Sequence, residues 1–175
     1  MRWLVMIVTL FSFGCCTSLP RLDAKRVAFP APAAQSERIV ETSEVFRDDK
    51  RQRDVPVKFY APANATSRLP VVVFSHGIGE NRDSYAYLGR ALANAGFLAI
   101  HITHAGTDRA VLERGYRHLY RAVKQKENWV ARPLDVSFVL DRIASRSDVD
   151  MDRIAIAGHS AGAFTAFAIA GLRMS

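Results

Sequence analysis

Three stretches of this chain are apolar without interruption: "LPVVVFSHG" (69–77), "FLAIHIT" (97–103) and "RIAIAGHS" (153–160). Runs of that length, with no polar alternation, belong to strands covered on both faces. Each is followed by a helical signal. "SYAYLGRALANAG" sets Tyr85, Leu88, Leu92 and Ala95 at helical spacing and stops at Gly96. "RPLDVSFVLDRIAS" does so with Leu134, Phe138 and Ile143, with Pro133 at its start. "AGAFTAFAIAGL" is small and apolar all round, as in a helix packed inside a protein. Strands alternating with helices predict an α/β fold with a mostly parallel sheet and helices on both faces. Ahead of them, "RIVETSEVFRD" and "RDVPVKFYAP" alternate polar and β-prone residues around a charged turn, Asp48 to Arg53. They predict an antiparallel hairpin at the sheet edge. The charged stretch from His104 to Lys126 reads as looser connecting chain.

The first residues differ from the rest. Met1-Arg2 leads into "WLVMIVTLFSF" and then into small residues at Gly14-Cys15-Cys16-Thr17-Ser18. A basic start, a short apolar core and a small-residue exit describe a secretory signal over 1–18. The uncharged run from Trp3 to Leu19 is short for a membrane span, and Thr9, Ser12, Thr17 and Ser18 dilute it. The expected location is therefore periplasmic or secreted, with no integral span beyond the signal. Lipid attachment at a cysteine is disfavoured, because Ser12-Phe13-Gly14 departs from the leucine-containing box such a site needs. Residues 19–36 carry three prolines and no clear period, as a linker does. The domain then runs over 37–175. It has no cysteine, so its stability has to come from its core. A hydrophobic fraction of 49% makes such a core possible. The net charge of +7 comes from basic residues scattered among acids, which gives no reason to expect nucleic acid.

The third apolar run carries the chemistry. Gly158-His159-Ser160-Ala161-Gly162 is a G-x-S-x-G placed between a buried strand and an apolar helix. Such a turn holds a serine at a strained apex with its hydroxyl facing a substrate. Gly158 and Gly162 keep bulk off the backbone where strand and helix meet, and the free N–H groups of the new helix point to where an oxyanion would form. Upstream, His76-Gly77-Ile78-Gly79 closes the first apolar run. A backbone N–H from that loop can join one after the serine in holding a negative oxygen, and Gly77 and Gly79 let the backbone approach it.

Four stretches together are similar to the α/β-hydrolase superfamily: "LPVVVFSHGIGENRDSYAYLGRALANAGFLAIHITHAGTD", "RPLDVSFVLDRI", "DVDMDRIAIAGHSAG" and "AFTAFAIAG". More narrowly, they resemble the bacterial "predicted dienelactone hydrolase" group, which is related to platelet-activating-factor acetylhydrolases. The resemblance spans roughly residues 40–172. It implies the N-terminal half of an α/β-hydrolase fold and a hydrolase of small-molecule esters, lipids or lactones. Ser160 is implied as nucleophile and the N–H groups of Ile78 and Ala161 as oxyanion donors. His104 is implied to be structural, and neither metal nor organic cofactor is implied.

One departure matters. The order in this fold is Ser, then Asp or Glu, then His, and no acid or histidine follows Ser160 in this sequence. His159 should point away from the serine hydroxyl, His76 sits near the oxyanion loop, His101 lies in a buried strand and His118 in the charged stretch. Asp135 and Asp141 read as solvent-facing helix residues. None is the expected general base. The sequence therefore reads as the nucleophile and oxyanion half of a C-terminally truncated hydrolase. The alternatives are a non-catalytic remnant or binding module on the same scaffold and, more weakly, a peptidase of that fold.

Overall fold

The computed structural model describes residues 38–171. The expected signal over 1–18, the expected linker over 19–36 and both cysteines lie outside them. Two long strands, β1 (Ile39–Asp48) and β2 (Arg53–Pro62), pair antiparallel as the expected hairpin. Then come β3 (Leu69–Ser75), helix α1 (Ala86–Asn94) and β4 (Leu98–Ile102). Three helices follow, α2 (Arg109–Glu113), α3 (Tyr116–Lys124) and α4 (Lys126–Ile143). Last are β5 (Val149–Gly158) and α5 (Ala161–Ile169). The five strands form one sheet in the order β1-β2-β4-β3-β5. β4, β3 and β5 run parallel, and the hairpin joins antiparallel through β2 and β4.

The three apolar runs became the parallel strands, but only β3 and β4 have both faces covered; β5, expected to be covered on both, lies at the sheet edge and leaves Ala155 and Ala157 half buried. All five residues of β4 are buried. Its Leu98, Ile100 and Ile102 join Val71 and Val73 of β3, Ile154 and Ile156 of β5, and Val136, Val139, Leu140 and Ile143 of α4 in one core, which also takes Ala166 of α5. Complete burial of each such side chain is worth about 1.5–3 kcal/mol. The other face holds Tyr60 and Ala99 against Ala93 of α1. There the Tyr60 ring lies on Gly89, where a Cβ would come within 2.5 Å of it. The centre of α1 is thus Gly89 and Ala93, with Leu88 and Leu92 only half buried beside them.

Two local expectations are corrected. The stretch 104–126 is not loose chain but carries α2 and α3, with the Asp108 side chain accepting from the Val111 N–H to start the first and Gly115 at φ 108° separating them. Helix α4 begins at Lys126, so Pro133 falls inside it rather than at its start. Its inward stripe is Arg132, Asp135, Val136, Val139, Leu140 and Ile143, while Leu134 is 47% exposed. Counting only apolar residues rotated the predicted face, because two charged residues belong to the buried one. Among the described residues, no helix is long and apolar enough to cross a membrane.

The register levels the C-terminal ends of the parallel strands: Ser75 of β3 pairs with Ile102 of β4 and with Gly158 of β5. The segments that leave these ends are His76–Gly79, Thr103–Thr107 and His159–Ser160. They converge at the edge of the sheet where open α/β folds place their chemistry.

Candidate active site

Ser160 occupies the apex between β5 and α5 at φ 53°, ψ −115°, a conformation that L-residues rarely adopt. Packing enforces it. A Cβ on Gly162 would run into the Ser75 carbonyl oxygen, and a Cβ on Gly158 would run into the Gly162 backbone. These glycines let α5 start hard against the end of β3. The turn is closed by His159 N–H to the Ser75 carbonyl (3.2 Å), Gly162 N–H to the His159 carbonyl (2.8 Å) and Ala163 N–H to the Ser160 carbonyl (2.9 Å). Ser160 is exposed, and among the described residues its hydroxyl has no hydrogen-bond partner. Gly162→Ala is expected to lower stability by about 3 kcal/mol, because the Ser75 and His76 carbonyls that it meets are backbone. The midpoint of urea unfolding measures it.

The second loop is pinned on both sides of Ile78. The Gly77 N–H donates to Glu80 Oε2 (2.7 Å) and the Gly79 N–H, at φ 79°, to the Thr107 carbonyl (2.8 Å). His76 Nδ1 donates to the Gly77 carbonyl (2.5 Å), while His76 Nε2 accepts from the His104 N–H (3.0 Å). The N–H groups of Ile78 and Ala161 make no hydrogen bond among the described residues. Fixing the Gly77 carbonyl also fixes the plane of the peptide that bears the Ile78 N–H. The two loops meet through Glu80, Tyr85 and His159. The Tyr85 hydroxyl donates to Glu80 Oε1 (2.9 Å) and lies 2.8 Å from His159 Nδ1. Burial, then the Glu80 hydrogen bond, pushes the Tyr85 phenol above its ordinary pKa. Tyr85 itself sits at φ 60°.

Beneath the loops lies a buried polar bed that the sequence reading missed. Asp135 is fully buried, against the expectation that it faces solvent; Asp141 is exposed as expected. The Asp135 carboxylate accepts from Arg53 (2.9 Å to each oxygen), from Arg51 (2.7 Å) and from His104 Nδ1 (3.0 Å). On its other side, His104 Nε2 is 2.9 Å from the Ser75 hydroxyl. Burial pushes the Asp135 carboxyl up, but the hydrogen bonds and charges of His104 and Arg53 outweigh it and hold it below the ordinary aspartate value. Burial, then the charge of Arg132, lowers the His104 pKa to about 4 despite Asp135. At neutral pH, His104 is thus a neutral imidazole donating to an ionised carboxylate and accepting from a serine. The order Asp135–His104–Ser75 repeats that of a hydrolytic triad, yet Ser75 is fully buried, so no substrate reaches it. Arg132, 1% exposed, completes the bed.

The remaining histidines do not reach Ser160. His159 is turned to Tyr85, His76 to its own loop, His101 to the Ser84 carbonyl (3.2 Å), and His118 is exposed on α3. Burial lowers the pKa of His76 to about 3, and that of His101 to about 4. In the unfolded chain these side chains, with His104, titrate near the ordinary 6.5. Between about pH 6.5 and 4 the unfolded state therefore binds protons that the folded state refuses, and stability falls as pH falls. At pH 5 each of the three is expected to cost about 2 kcal/mol relative to pH 7.5. Urea midpoints at the two pH values check this. Among the described residues, no group of three or more His, Cys, Asp or Glu is placed to hold a metal ion.

Comparison with known proteins agrees with this geometry. The chlorophyllase family model matches residues 34–175. Platelet-activating factor acetylhydrolase of Cavia porcellus is 27% identical, over 63% of this chain and 34% of its own. Among solved structures, a ferulic acid esterase from Streptomyces cinnamoneus superposes with a TM-score of 0.59 at 22% identity, covering 82% of this chain and 56% of that one. An acetyl xylan esterase from Paenibacillus sp. R4 gives 0.55 at 27% identity, covering 77% and 46%. The chain thus spans about a third of its curated relative's length and about half of the solved structures it matches. With β4, β3 and β5 in parallel and the turn at Ser160 between strand and helix, the match over 34–175 shows that the chain belongs to the chlorophyllase family, within the α/β-hydrolase group.

Proposed function

We propose that this chain supplies the nucleophile and oxyanion half of a serine hydrolase acting on carboxylic esters or lactones. One observation carries the reading. Ser160 is held in a strained backbone conformation with an unspent hydroxyl, at the start of a helix whose Ala161 N–H is also unspent. The packing that forces this strain needs glycine at both flanking positions, a cost that a plain strand–helix turn has no reason to bear. Ser160 Oγ attacks the ester carbonyl, and the Ile78 and Ala161 N–H groups take the negative charge of the tetrahedral intermediate. The alcohol leaves, and water releases the acid from the acyl-serine. In this reading the Oγ proton goes to a base supplied by the other half of the fold, since none of the five histidines in the sequence is turned to Ser160. The names of the relatives support the substrate class, and the Met1–Ser18 pattern supports export.

A fluorophosphonate probe tests it. On the full-length protein, one adduct is expected, mapped by mass spectrometry to Ser160 and lost in Ser160→Ala. Soluble, folded protein that takes no label would leave only a non-catalytic scaffold.

A further inference from the structure

We propose that Arg132 is a positioning residue for the oxyanion hole, one buried guanidinium that ties both flanks of Ile78 to the first turn of the nucleophile helix. The inference rests on the reading of Ser160 as nucleophile and Ile78 and Ala161 as oxyanion donors.

The geometry is a three-way fork. Arg132 Nη2 donates to the His76 carbonyl, two residues before Ile78, and to the Ser75 hydroxyl (3.1 Å). Nη1 donates to the Thr107 hydroxyl (2.8 Å). Thr107 in turn accepts the Gly79 N–H on its carbonyl, so this arm holds the residue just after Ile78. Nε donates to the Thr165 hydroxyl (2.9 Å), which donates onward to the Ala161 carbonyl (3.1 Å). The loop before Ile78, the loop after it and the turn bearing Ala161 are therefore referenced to one rigid planar group. Only a guanidinium presents enough donors in one plane to do this.

A stability role alone does not account for the residue. Among the described residues, Arg132 has no carboxylate in direct ion-pair contact. Burial depresses its pKa to about 10, and the longer-range attraction of Asp135 does not restore it. An apolar side chain on this α4 face would avoid that desolvation, and buried charges are often no better for stability than apolar groups of the same volume. The charge is placed where its donors fix two separate segments to each other. Oxyanion donors contribute only if they are already aimed at the developing charge. A loop free to shift by a fraction of an ångström loses that advantage without losing its fold.

The test uses the full-length protein, p-nitrophenyl acetate as substrate and a trifluoromethyl ketone, which forms a tetrahedral oxyanion on the serine. Arg132→Lys keeps a cation but cannot span all the acceptors. Its kcat is expected to fall about 100-fold, the scale of losing one oxyanion donor. KM should stay within about twofold, since ground-state binding is untouched, and ketone affinity should fall by the same factor as kcat. Thr165→Val severs only the arm to α5 at nearly constant volume; an intermediate loss of about 10-fold in kcat and ketone affinity is expected, a partial version of the same defect. It carries the test if Arg132→Lys does not fold. A Ser160-dependent enzyme in which Arg132→Lys, or Thr165→Val in its place, keeps kcat and ketone affinity overturns the proposal alone. So does a variant that loses kcat but not ketone affinity. Turnover that survives Ser160→Ala overturns the nucleophile reading with it.

Discussion

Ser160→Ala, in a protein whose other half supplies the base, is expected to lower kcat toward esters about a million-fold, the loss seen when a complete serine-hydrolase triad is deprived of its nucleophile. Rate above the uncatalysed reaction should remain, because the Ile78 and Ala161 N–H groups are unaltered. The backbone makes a sharper companion prediction. Serine and alanine carry the same Cβ into the same φ of 53°, so Ser160→Ala should leave the urea midpoint where it is. Ser160→Gly removes the Cβ that makes this conformation costly. Strain of this kind is worth about 1–3 kcal/mol, and glycine gives part of it back through the greater freedom of the unfolded chain. A net gain of about 1 kcal/mol is expected, in a protein as inactive as Ser160→Ala. An alanine variant with wild-type kcat would remove Ser160 from the mechanism. A glycine variant less stable than the alanine one would show that the turn holds no strain to release.

Most of the frame was legible because it is written in apolar runs. β3 and β4 are buried on both faces and their long apolar runs meet that condition, whereas β5, at the sheet edge, buries Ile154 and Ile156 on one face and leaves Ala155 and Ala157 half buried on the other. The hairpin showed itself by alternation, and the turn at Ser160 by two glycines whose missing side chains make room for the Ser75 carbonyl and the Gly162 backbone. The failures share one cause. α4 was misplaced, and α3 missed, where charged residues occupy helical positions that a count of apolar residues skips. Arg132 and Asp135 lie three apart on the stripe that continues through Val136, Val139 and Ile143, so their spacing put them on the buried face. Their charge argued against it. What reconciles the two is a set of partners drawn from four other segments: Arg51 and Arg53 from the hairpin, His104 after β4, Ser75 and His76 at the end of β3, and Thr165 on α5. No local pattern announces pairings at such separations. Glu80 is different. An acid three residues beyond Gly77 can fold back onto its N–H, and that short spacing was available to be read.

Asp135→Asn is expected to be among the most destabilising single substitutions in this domain, costing about 3–5 kcal/mol. The carboxylate is fully buried and receives Arg51, Arg53 and the His104 Nδ1–H. Asparagine has nearly the same shape, so the loss would come from charge and acceptors rather than volume. Arg53 would keep its burial but lose the anion that compensates it, which is the costly way to break a buried pair, while Arg51 would keep Asp48. The wild-type acid profile separates this contribution from that of the histidines. Because the folded pKa of Asp135 lies below its unfolded value, its stabilisation is complete above the ordinary aspartate value of about 3.9 and is lost as pH falls through the folded value. The contribution of His101 and His104 is lost between about pH 6.5 and 4, and only that of His76 runs on to about pH 3. Urea midpoints followed from pH 8 to pH 2 should therefore fall in two stages in the wild type. In Asp135→Asn the whole curve should start lower, and its second stage should shrink. Equal midpoints for the two proteins at pH 7.5 would mean that the bed under the oxyanion loop does not depend on its carboxylate.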